Sequence, residues 1–345
     1  MEKIAKKASR GKIKVDFEDR TPLWTRLKTK IFSMYFVKNV LWYLFRFVLM
    51  LGISYVILYP FISKIAHSFM APTDFIDAKV CFIPRSYTLD IYKAIFLENH
   101  YMQAFVNTLI LSLACAVIQT LISCIIGYGL AKFKFRGNKL IMVLVIITMI
   151  IPHETVRMSL LTHFRAFDIG GVMGLRLPGL MELISGNTLD LTDTYWPFVI
   201  LSVTGLAFKN GLYIYLLRQF FRGVPDELEE SAYVDGSGVF RTFFTIILPL
   251  AIPMMITVFL FSFSWQWTDD FYTELFFTAN SKTVLMPDII EIPASLKSVL
   301  FAAQADYNTA IRNTAGLMII LPLVVIYLFC QRFLVQGIER SGLVG

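Results

Sequence analysis

Charged residues are scarce in this sequence, and their scarcity excludes several classes of protein. Only 17% of the 345 residues are Asp, Glu, Lys or Arg, whereas an average soluble chain has about 25%. Apolar residues make up 56%, so the chain is too apolar to be disordered, and 19 glycines are too few for a collagen-like fibre. This excess of apolar side chains is typical of a protein that spans a membrane several times.

Cysteine and histidine are also scarce, with four residues of each. Three of the cysteines lie inside apolar runs and no Cys-x-x-Cys pair occurs, so neither a disulfide framework nor a zinc site is indicated. The sequence has no Gly-x-x-x-x-Gly-Lys-Ser/Thr loop for a nucleotide and no Gly-x-Ser-x-Gly nucleophile. We therefore expect this chain to have no catalytic residue, no metal site and no cofactor of its own.

Long apolar runs dominate what the sequence does contain. A helix needs about 20 predominantly apolar residues to cross a bilayer, and six runs reach that length. They predict an all-α polytopic membrane protein with six transmembrane helices, preceded by a basic N-terminal extension over 1–40. The predicted helices, within a transmembrane domain over 41–345, cover residues 41–63, 104–131, 140–160, 195–217, 246–268 and 314–334.

The basic residues indicate which side of the membrane each loop faces, because cytoplasmic loops collect Lys and Arg. Twenty of them lie before the first run, between the second and third, between the fourth and fifth, or after the sixth, against ten in the other loops. Both termini of this multi-pass, lipid-embedded chain are therefore predicted to be cytoplasmic. The same bias accounts for the net charge of +7, so we expect no binding of nucleic acid.

The connection between the fourth and fifth runs has the pattern of a short helix over 226–235. Pro225 suits the first turn, acidic residues follow it, and Gly236 can adopt the left-handed conformation that ends a helix. Such a helix is too short to be stable alone in water. It either docks on another protein or packs under the membrane helices, and the pattern leaves both open. One predicted face consists of Leu228, Ser231, Ala232 and Asp235, with Glu230 beside it.

The spacing of this segment resembles the EAA signature of permease subunits of binding-protein-dependent ABC importers. That signature reads Glu-Ala-Ala, three residues, Gly, nine residues and Ile-x-Leu-Pro, and here a serine replaces the first alanine. The tail over 331–337 is similar to that of the second permease of maltose-type carbohydrate importers, whereas 1–40 and 170–190 look like additions to the family pattern. The matching positions of the signature are Glu230, Ser231, Ala232, Gly236, Ile246, Leu248 and Pro249.

The resemblance implies a bacterial inner-membrane subunit that forms half of a pathway for carbohydrate uptake, with an oligosaccharide favoured. It implies as partners a second, non-identical permease, two copies of an ATP-binding subunit that hold ATP and Mg²⁺, an extracytoplasmic solute-binding protein, and the sugar. In the family, the EAA helix inserts into a groove on the ATPase subunit. The residues that the resemblance assigns to ATPase coupling are Glu230, Ser231, Ala232, Asp235, Gly236, Ile246, Leu248 and Pro249.

Six polar or aromatic residues in or near the runs are candidates for contact with the pathway or the substrate. Sugars present both apolar faces and hydroxyls, which suit aromatic and amide side chains. Lys209 lies near the middle of the fourth run, where a charge is costly; the alternative is that it packs against a water-filled pathway or the partner permease. Helix packing also explains the others. The candidates are Asn107, Lys209, Trp265, Gln266, Trp267 and Asp269.

Two other functions stay open at this stage. The first is an ABC importer permease for a solute other than a sugar, and the second is a stand-alone secondary transporter. A secondary transporter binds its coupling ions through ionisable groups inside the bilayer. The runs contain few such groups, since Arg46 is close to the end of the first run and Lys209 is the main exception. The sequence therefore favours the importer.

Overall fold

The computed structural model describes residues 34–77, 79–169, 179, 182–183, 186–278, 281–297 and 304–340. Most of the N-terminal extension over 1–40 and of the addition over 170–190 lies outside these ranges. The chain divides into two compact units, Met1–Ile62 and Ser63–Gly345. Within the described ranges the secondary structure is helical, with no strand and only two isolated β-bridges.

One long helix, α1 (Met34–His67), supplies the described part of the first unit. Its residues Lys38–His67 are apolar and numerous enough to cross a membrane. Apolar side chains make up most of this stretch, as a helix that crosses a bilayer requires. The guanidinium of Arg46 lies 4.7 Å from the centre of the Trp42 ring, so a cation–π contact stabilises the one charge inside the first predicted run.

The helices that the structure describes in the second unit are numbered in chain order. They are α2 (Asp90–Glu98), α3 (Tyr101–Lys132), α4 (Asn138–Ile150), α5 (His153–Arg165), α6 (Trp196–Val203), α7 (Asn210–Arg222), α8 (Glu227–Val234), α9 (Val239–Thr242), α10 (Leu248–Trp267), α11 (Phe271–Phe276), α12 (Ala294–Lys297) and α13 (Gln304–Arg340). A π-helical turn, Phe243–Ile247, joins α9 to α10, and 3-10 turns occur at Pro72–Phe75 and Met286–Ile290.

Four helices of the described residues are long and apolar enough to cross a membrane, and they overlap the first, second, fifth and sixth predicted runs. A fifth crossing is possible if α4 and α5, which meet at an angle of 102°, form one span. Pro152 lies at this bend, where it cannot donate a backbone hydrogen bond and disfavours helix at the residue before it. The third run, 140–160, is thus not one straight helix, and the count of six helices is not confirmed.

The fourth predicted run, 195–217, is divided between α6 and α7. The residues between them, 204–209, leave the helix, and Gly205 and Lys209 have positive φ angles of 72° and 65°. The run is therefore not one continuous helix, because apolar composition does not reveal where the backbone leaves the helical conformation. Lys209 directly precedes α7 instead of lying in the middle of a helix.

The helix α3 is central to the second unit and packs against α6, α7 and α10. Its Gln119 connects two of these neighbours, because Nε2 donates a hydrogen bond to Ser202 Oγ of α6 at 3.0 Å and Ser262 Oγ of α10 donates to Oε1 at 2.6 Å. All three side chains are buried. Since the bilayer core offers no water, polar groups that pair internally help to hold such helices together.

Gly127 allows α3 and α7 to approach closely. A Cβ atom at this position would lie 3.0 Å from the backbone nitrogen of Arg218 and 3.0 Å from Cβ of Leu217. Two residues further along α3, a Cβ atom on Gly129 would meet no other atom within 4 Å. The two glycines form a matched pair, one at a packed interface and one in open space.

We predict that Gly127→Val lowers the melting temperature of the detergent-purified protein, whereas Gly129→Val leaves it nearly unchanged. Overpacking a close contact costs about 1–3 kcal/mol, and the backbone of α7 cannot move aside as a flexible side chain can. Heating followed by size-exclusion chromatography measures the difference. Equal melting temperatures for the two variants would contradict the described contact between α3 and α7.

Candidate functional site

The helix α8 is eight residues long, Glu227–Val234, and lies inside the segment 226–235 for which the sequence predicts a helix. Acidic residues occupy its first turn, where they complement the partial positive charge of a helix N-terminus. After it, Gly236 has a φ of 83°, in the left-handed region that permits a tight turn. The backbone N–H of Gly236 donates a hydrogen bond to the carbonyl oxygen of Tyr233 at 3.0 Å, which closes the helix.

Lys132, the last residue of α3, holds the segment that leads into α8. Its Nζ donates hydrogen bonds to the carbonyl oxygen of Val224 at 2.7 Å and to Asp226 Oδ1 at 2.5 Å, and it lies 4.0 Å from Glu229 Oε2. The lysine side chain is only 7% exposed. Because an unpaired buried charge is strongly destabilising, these three acceptors take the place of the water that Lys132 has lost.

Glu229 is the buried acid of α8, and it faces the helix bundle. Tyr128, one turn before Lys132 on α3, donates a hydrogen bond from its hydroxyl to Glu229 Oε1 at 3.0 Å. The Tyr128 ring also contacts Phe221 of α7 and Phe243 of the π-helical turn. One tyrosine and one lysine therefore fix α8 to the end of α3.

Asp226 is the exposed member of this group. The hydrogen bond from Lys132, followed by the positive charge of the same lysine, lowers the pKa of Asp226 below its usual value. The ion pair therefore persists to a more acidic pH than an ordinary aspartate would allow. Since an ion pair with an exposed partner contributes little stability, the buried contacts of Lys132 and Glu229 account for most of the attachment.

The face of α8 that is turned away from the bundle is exposed. Ala232 does not belong to it, because this residue is 6% exposed and lies on the same side as the buried Glu229, three positions earlier. The prediction that Ala232 shares the face of Leu228 and Asp235 is therefore wrong, since the buried contacts of Glu229 set the rotation of the helix. The exposed members of the predicted set are Leu228, Glu230, Ser231, Asp235 and Gly236.

Large apolar side chains are exposed beside these polar groups. Val234 is 87% exposed and Phe240 of α9 is 81% exposed. Apolar side chains next to charges on a surface are typical of contact with another protein. This region can therefore bind a partner protein through its charged and apolar side chains. We refer to Leu228, Glu230, Ser231, Val234 and Phe240 as the exposed face.

Three further residues assigned to coupling lie at the start of α10. Ile246 belongs to the π-helical turn, and Leu248 and Pro249 are the first residues of α10. Ile246 and Leu248 are half-buried and pack on the core cluster that contains Tyr128. Pro249 suits a first helical turn, where no N–H donor is needed. These residues connect the segment of the exposed face to the core.

Two substrate candidates, Asn107 and Trp267, make contacts within the chain. Asn107 Nδ2 donates a hydrogen bond to the carbonyl oxygen of Val284 at 3.1 Å. Trp267 is fully buried, and its Nε1 donates to the carbonyl oxygen of Ile319 in α13 at 3.0 Å. These hydrogen bonds join α3 and α10 to neighbouring segments of the chain.

Two more candidates, Gln266 and Asp269, shape the turn between α10 and α11. Asp269 is buried; its Oδ1 accepts a hydrogen bond from the backbone N–H of Tyr272 at 3.2 Å, and Gln266 Nε2 donates to Oδ2 at 3.4 Å. Burial raises the pKa of Asp269 to about 7, while the hydrogen bond from Tyr272 acts in the opposite direction. Across the described residues, no group of three or more His, Cys, Asp or Glu is placed to hold a metal ion.

The last two candidates, Lys209 and Trp265, come together in the structure. Lys209 Nζ lies 4.8 Å from the centre of the Trp265 ring and 4.6 Å from that of Phe208. Trp265 is 45% exposed. Lys209 also lines a cavity of about 240 Å³, together with His153 at the start of α5. Of the six candidates, this pair forms a site in which a cation and an aromatic face are adjacent.

The sequence alone does not identify two residues of the α8 attachment, Lys132 and Tyr128. In the sequence, Lys132 is one of several basic residues that indicate orientation. The sequence does contain one local indication, because Lys132 follows an apolar run and lies four residues after a tyrosine. That indication does not identify the acceptor on Asp226, which lies 94 residues further along the chain.

We predict that Lys132→Met makes the segment 222–241 more accessible to trypsin. Loss of the donor leaves Glu229 buried without its cation, which costs about 1–3 kcal/mol and should raise the cleavage rate at Arg222 or Arg241 at least about fivefold. Limited proteolysis of the purified protein, read by mass spectrometry, measures that rate. Lys134→Met, which removes an exposed lysine two residues away, is the control; a wild-type rate in Lys132→Met would show that Lys132 does not hold α8.

Comparison with known proteins relates this geometry to a family. The family model described as "Binding-protein-dependent transport system inner membrane component" matches residues 119–340. The galactooligosaccharides transport system permease protein GanQ of Bacillus subtilis (strain 168) is 26% identical over 313 residues, which cover 90% of this chain and 98% of the relative. The maltodextrin transport system permease protein MdxG of the same bacterium is 27% identical over 296 residues, which cover 85% and 93%.

A solved structure has a similar fold. It is a chain of a bacterial ABC transporter involved in the import of the acidic polysaccharide alginate, with a TM-score of 0.60, 18% identity, and coverage of 86% of this chain and 97% of that chain. At this identity the likeness concerns the fold alone. The family model extends from the middle of α3 to the end of α13 and includes all of α8. Because it matches well over half of the sequence, the chain belongs to the family of binding-protein-dependent transport system inner membrane components.

Proposed function

We propose that this chain is one of two membrane subunits of an ABC importer that takes up carbohydrate across the bacterial inner membrane. Support comes from the family to which it belongs and from relatives whose names state the transport of galactooligosaccharides and maltodextrin. Both termini are cytoplasmic in this proposal, since the basic residues are concentrated in the loops on that side. The third and fourth of six crossings are then the interrupted pairs α4–α5 and α6–α7.

The observation that carries the proposal is the two-sided environment of α8. One side, with Glu229, is held by Lys132 and Tyr128 at the end of α3, and the other side is the exposed face. A helix that is fixed to the bundle on one side moves together with α3 when a partner moves it from the other side. We propose that this partner is an ATP-binding subunit and that the exposed face inserts into a groove on its surface.

The chemistry of ATP belongs to partner subunits in this proposal. Two copies of the ATP-binding subunit hold ATP and Mg²⁺, a second and non-identical permease completes the pathway, and an extracytoplasmic solute-binding protein delivers the sugar. The carboxylate of Glu230 attracts basic or hydrogen-bond-donor groups on the ATPase, because complementary charges guide and stabilise association. Gly236 sets the direction in which the chain leaves α8, through its positive φ.

We predict that Glu230→Lys and Gly236→Val abolish co-purification of the ATP-binding subunits while the chain still inserts into the membrane. Glu230→Lys replaces attraction by like-charge repulsion, which can cost several kcal/mol across an interface. Gly236→Val forces a β-branched residue into a left-handed conformation and tilts α8 out of its groove. The measurement is the amount of ATP-binding subunit recovered per permease, together with sugar-stimulated ATP hydrolysis.

Two variants provide controls for these changes. Gly238→Val alters a residue two positions away whose φ of −78° suits any side chain, so we expect the subunits to stay attached. Glu230→Gln removes the charge without adding repulsion and should give a smaller loss than Glu230→Lys. If Glu230→Lys and Gly236→Val both transport sugar at the wild-type rate, and no ATP-binding subunit is ever recovered, the importer proposal is wrong and a secondary transporter becomes the better account.

A further inference from the structure

Lys209 occupies an unusual backbone position inside an apolar stretch. Its φ of 65° lies in the left-handed region, which a residue with a long side chain adopts only when surrounding structure holds it there. It directly precedes α7, at the end of the interruption 204–209 between α6 and α7. The interruption of the helix therefore places the charged side chain of Lys209 in a segment that is otherwise apolar.

The ammonium group of Lys209 is surrounded by aromatic rings. Nζ lies 4.6 Å from the ring centre of Phe208 and 4.8 Å from that of Trp265. The residues that the structure describes include no carboxylate in an ion pair with it. Arg157 on α5 differs in this respect, because it is 3.6 Å from a carboxylate oxygen of Glu274. Lys209 is thus a cation stabilised by π faces but lacking a counter-ion within the described ranges.

The space beside Lys209 can receive a ligand group. The cavity of about 240 Å³ lies where the interruption between α6 and α7 meets the bend between α4 and α5, and it is lined by Lys209, Thr148, Pro152 and His153. Next to Lys209, Asn210 is fully buried, and neither atom of its side-chain amide has a hydrogen-bond partner among the described residues. Buried polar groups are normally satisfied, so this stretch of backbone is unusual both for the charge of Lys209 and for the amide of Asn210.

We propose that the ammonium group of Lys209 binds the carboxylate of an acidic sugar as it passes through the transporter, while the neighbouring ring of Trp265 packs against the sugar. The substrate class is then an oligosaccharide that contains uronate residues. An ammonium forms strong charge-assisted hydrogen bonds with a carboxylate. The partly exposed ring of Trp265 can pack on the apolar side of a sugar ring. This inference rests on the proposed function and deepens it, since carbohydrate uptake alone does not require a cation here.

A carboxylate on the partner permease is the rival counter-ion for Lys209. The position of the lysine favours the substrate, because Lys209 is one of the residues that line a cavity with room for a ligand group. The two explanations differ in what happens when the charge is removed. Loss of a counter-ion pair between subunits weakens assembly, whereas loss of a substrate contact weakens uptake of the acidic sugar and leaves the complex intact.

The test uses the whole importer, with its partner permease, ATP-binding subunits and solute-binding protein, in proteoliposomes. Trisaccharides of galacturonate, glucuronate and mannuronate are each offered as the free acid and as the methyl ester, which has the same ring but no charge. We expect ATP-dependent uptake of at least one acid by the wild type. Lys209→Met, which keeps a long stem, should lower uptake of that acid at least about tenfold, while uptake of its ester changes less than about twofold.

Two control variants separate charge from structure. Lys209→Arg keeps the positive charge and should retain most of the uptake of the acid. Lys79→Met removes an exposed lysine from a loop and should behave as the wild type. Subunit ratios after purification are measured for every variant, so that a loss of uptake is interpreted only for complexes that have assembled.

Three results would overturn the inference. They are unchanged uptake of the acid by Lys209→Met, loss of the partner permease from that variant, and a wild-type importer that takes up only neutral trisaccharides such as maltotriose. The last result would leave the proposed function standing, because carbohydrate would still be transported. If no carbohydrate of either kind is taken up with ATP, the proposed function itself fails.

Discussion

The contacts of Lys132 tie α8 to the central helix of the second unit. This lysine is the last residue of α3, the helix that packs against α6, α7 and α10. Its buried ammonium group is stabilised by Val224, Asp226 and Glu229. Without it, the contacts of Lys132 with Asp226 and Glu229 are lost, and the hydrogen bond from Tyr128 to Glu229 remains. With it, α8 becomes an extension of the central helix, and a displacement of α8 is also a displacement of α3 and of the residues packed on it.

A polar group removed from water needs a partner, and this requirement also explains the pairing of Gln119 inside the bundle. Lys209 is the exception. Gln119 satisfies both ends of its amide with two serines from neighbouring helices. Lys209 is surrounded by the rings of Phe208 and Trp265, and no carboxylate in the described ranges pairs with it. A charge beside a cavity, without a counter-ion in the described ranges, is the observation that carries the proposed contact with the substrate.

The sequence predicts long elements well and interruptions poorly. Apolar length alone identifies the helices α1, α3, α10 and α13, because crossing a bilayer demands it. It fails over 195–217, since two left-handed residues break that run without changing its composition. The pattern around Gly236 indicates a short helix, because acidic residues and glycine have local roles at helix ends. The attachment through Lys132 and the orientation of Ala232 depend on contacts between residues distant in sequence, which no local pattern contains.

Whether α8 acts through its attachment to α3 can be measured as the ratio of sugar uptake to ATP hydrolysis in a reconstituted importer that carries Lys132→Met. Because Tyr128 still donates its hydrogen bond to Glu229 in this variant, α8 keeps its exposed face, and ATP-binding subunits should still be recovered and hydrolyse ATP. Uptake per ATP hydrolysed should fall at least about tenfold, the size of effect expected when two sites lose their coupling. An unchanged ratio of uptake to hydrolysis would contradict the claim that α8 acts through its attachment to α3.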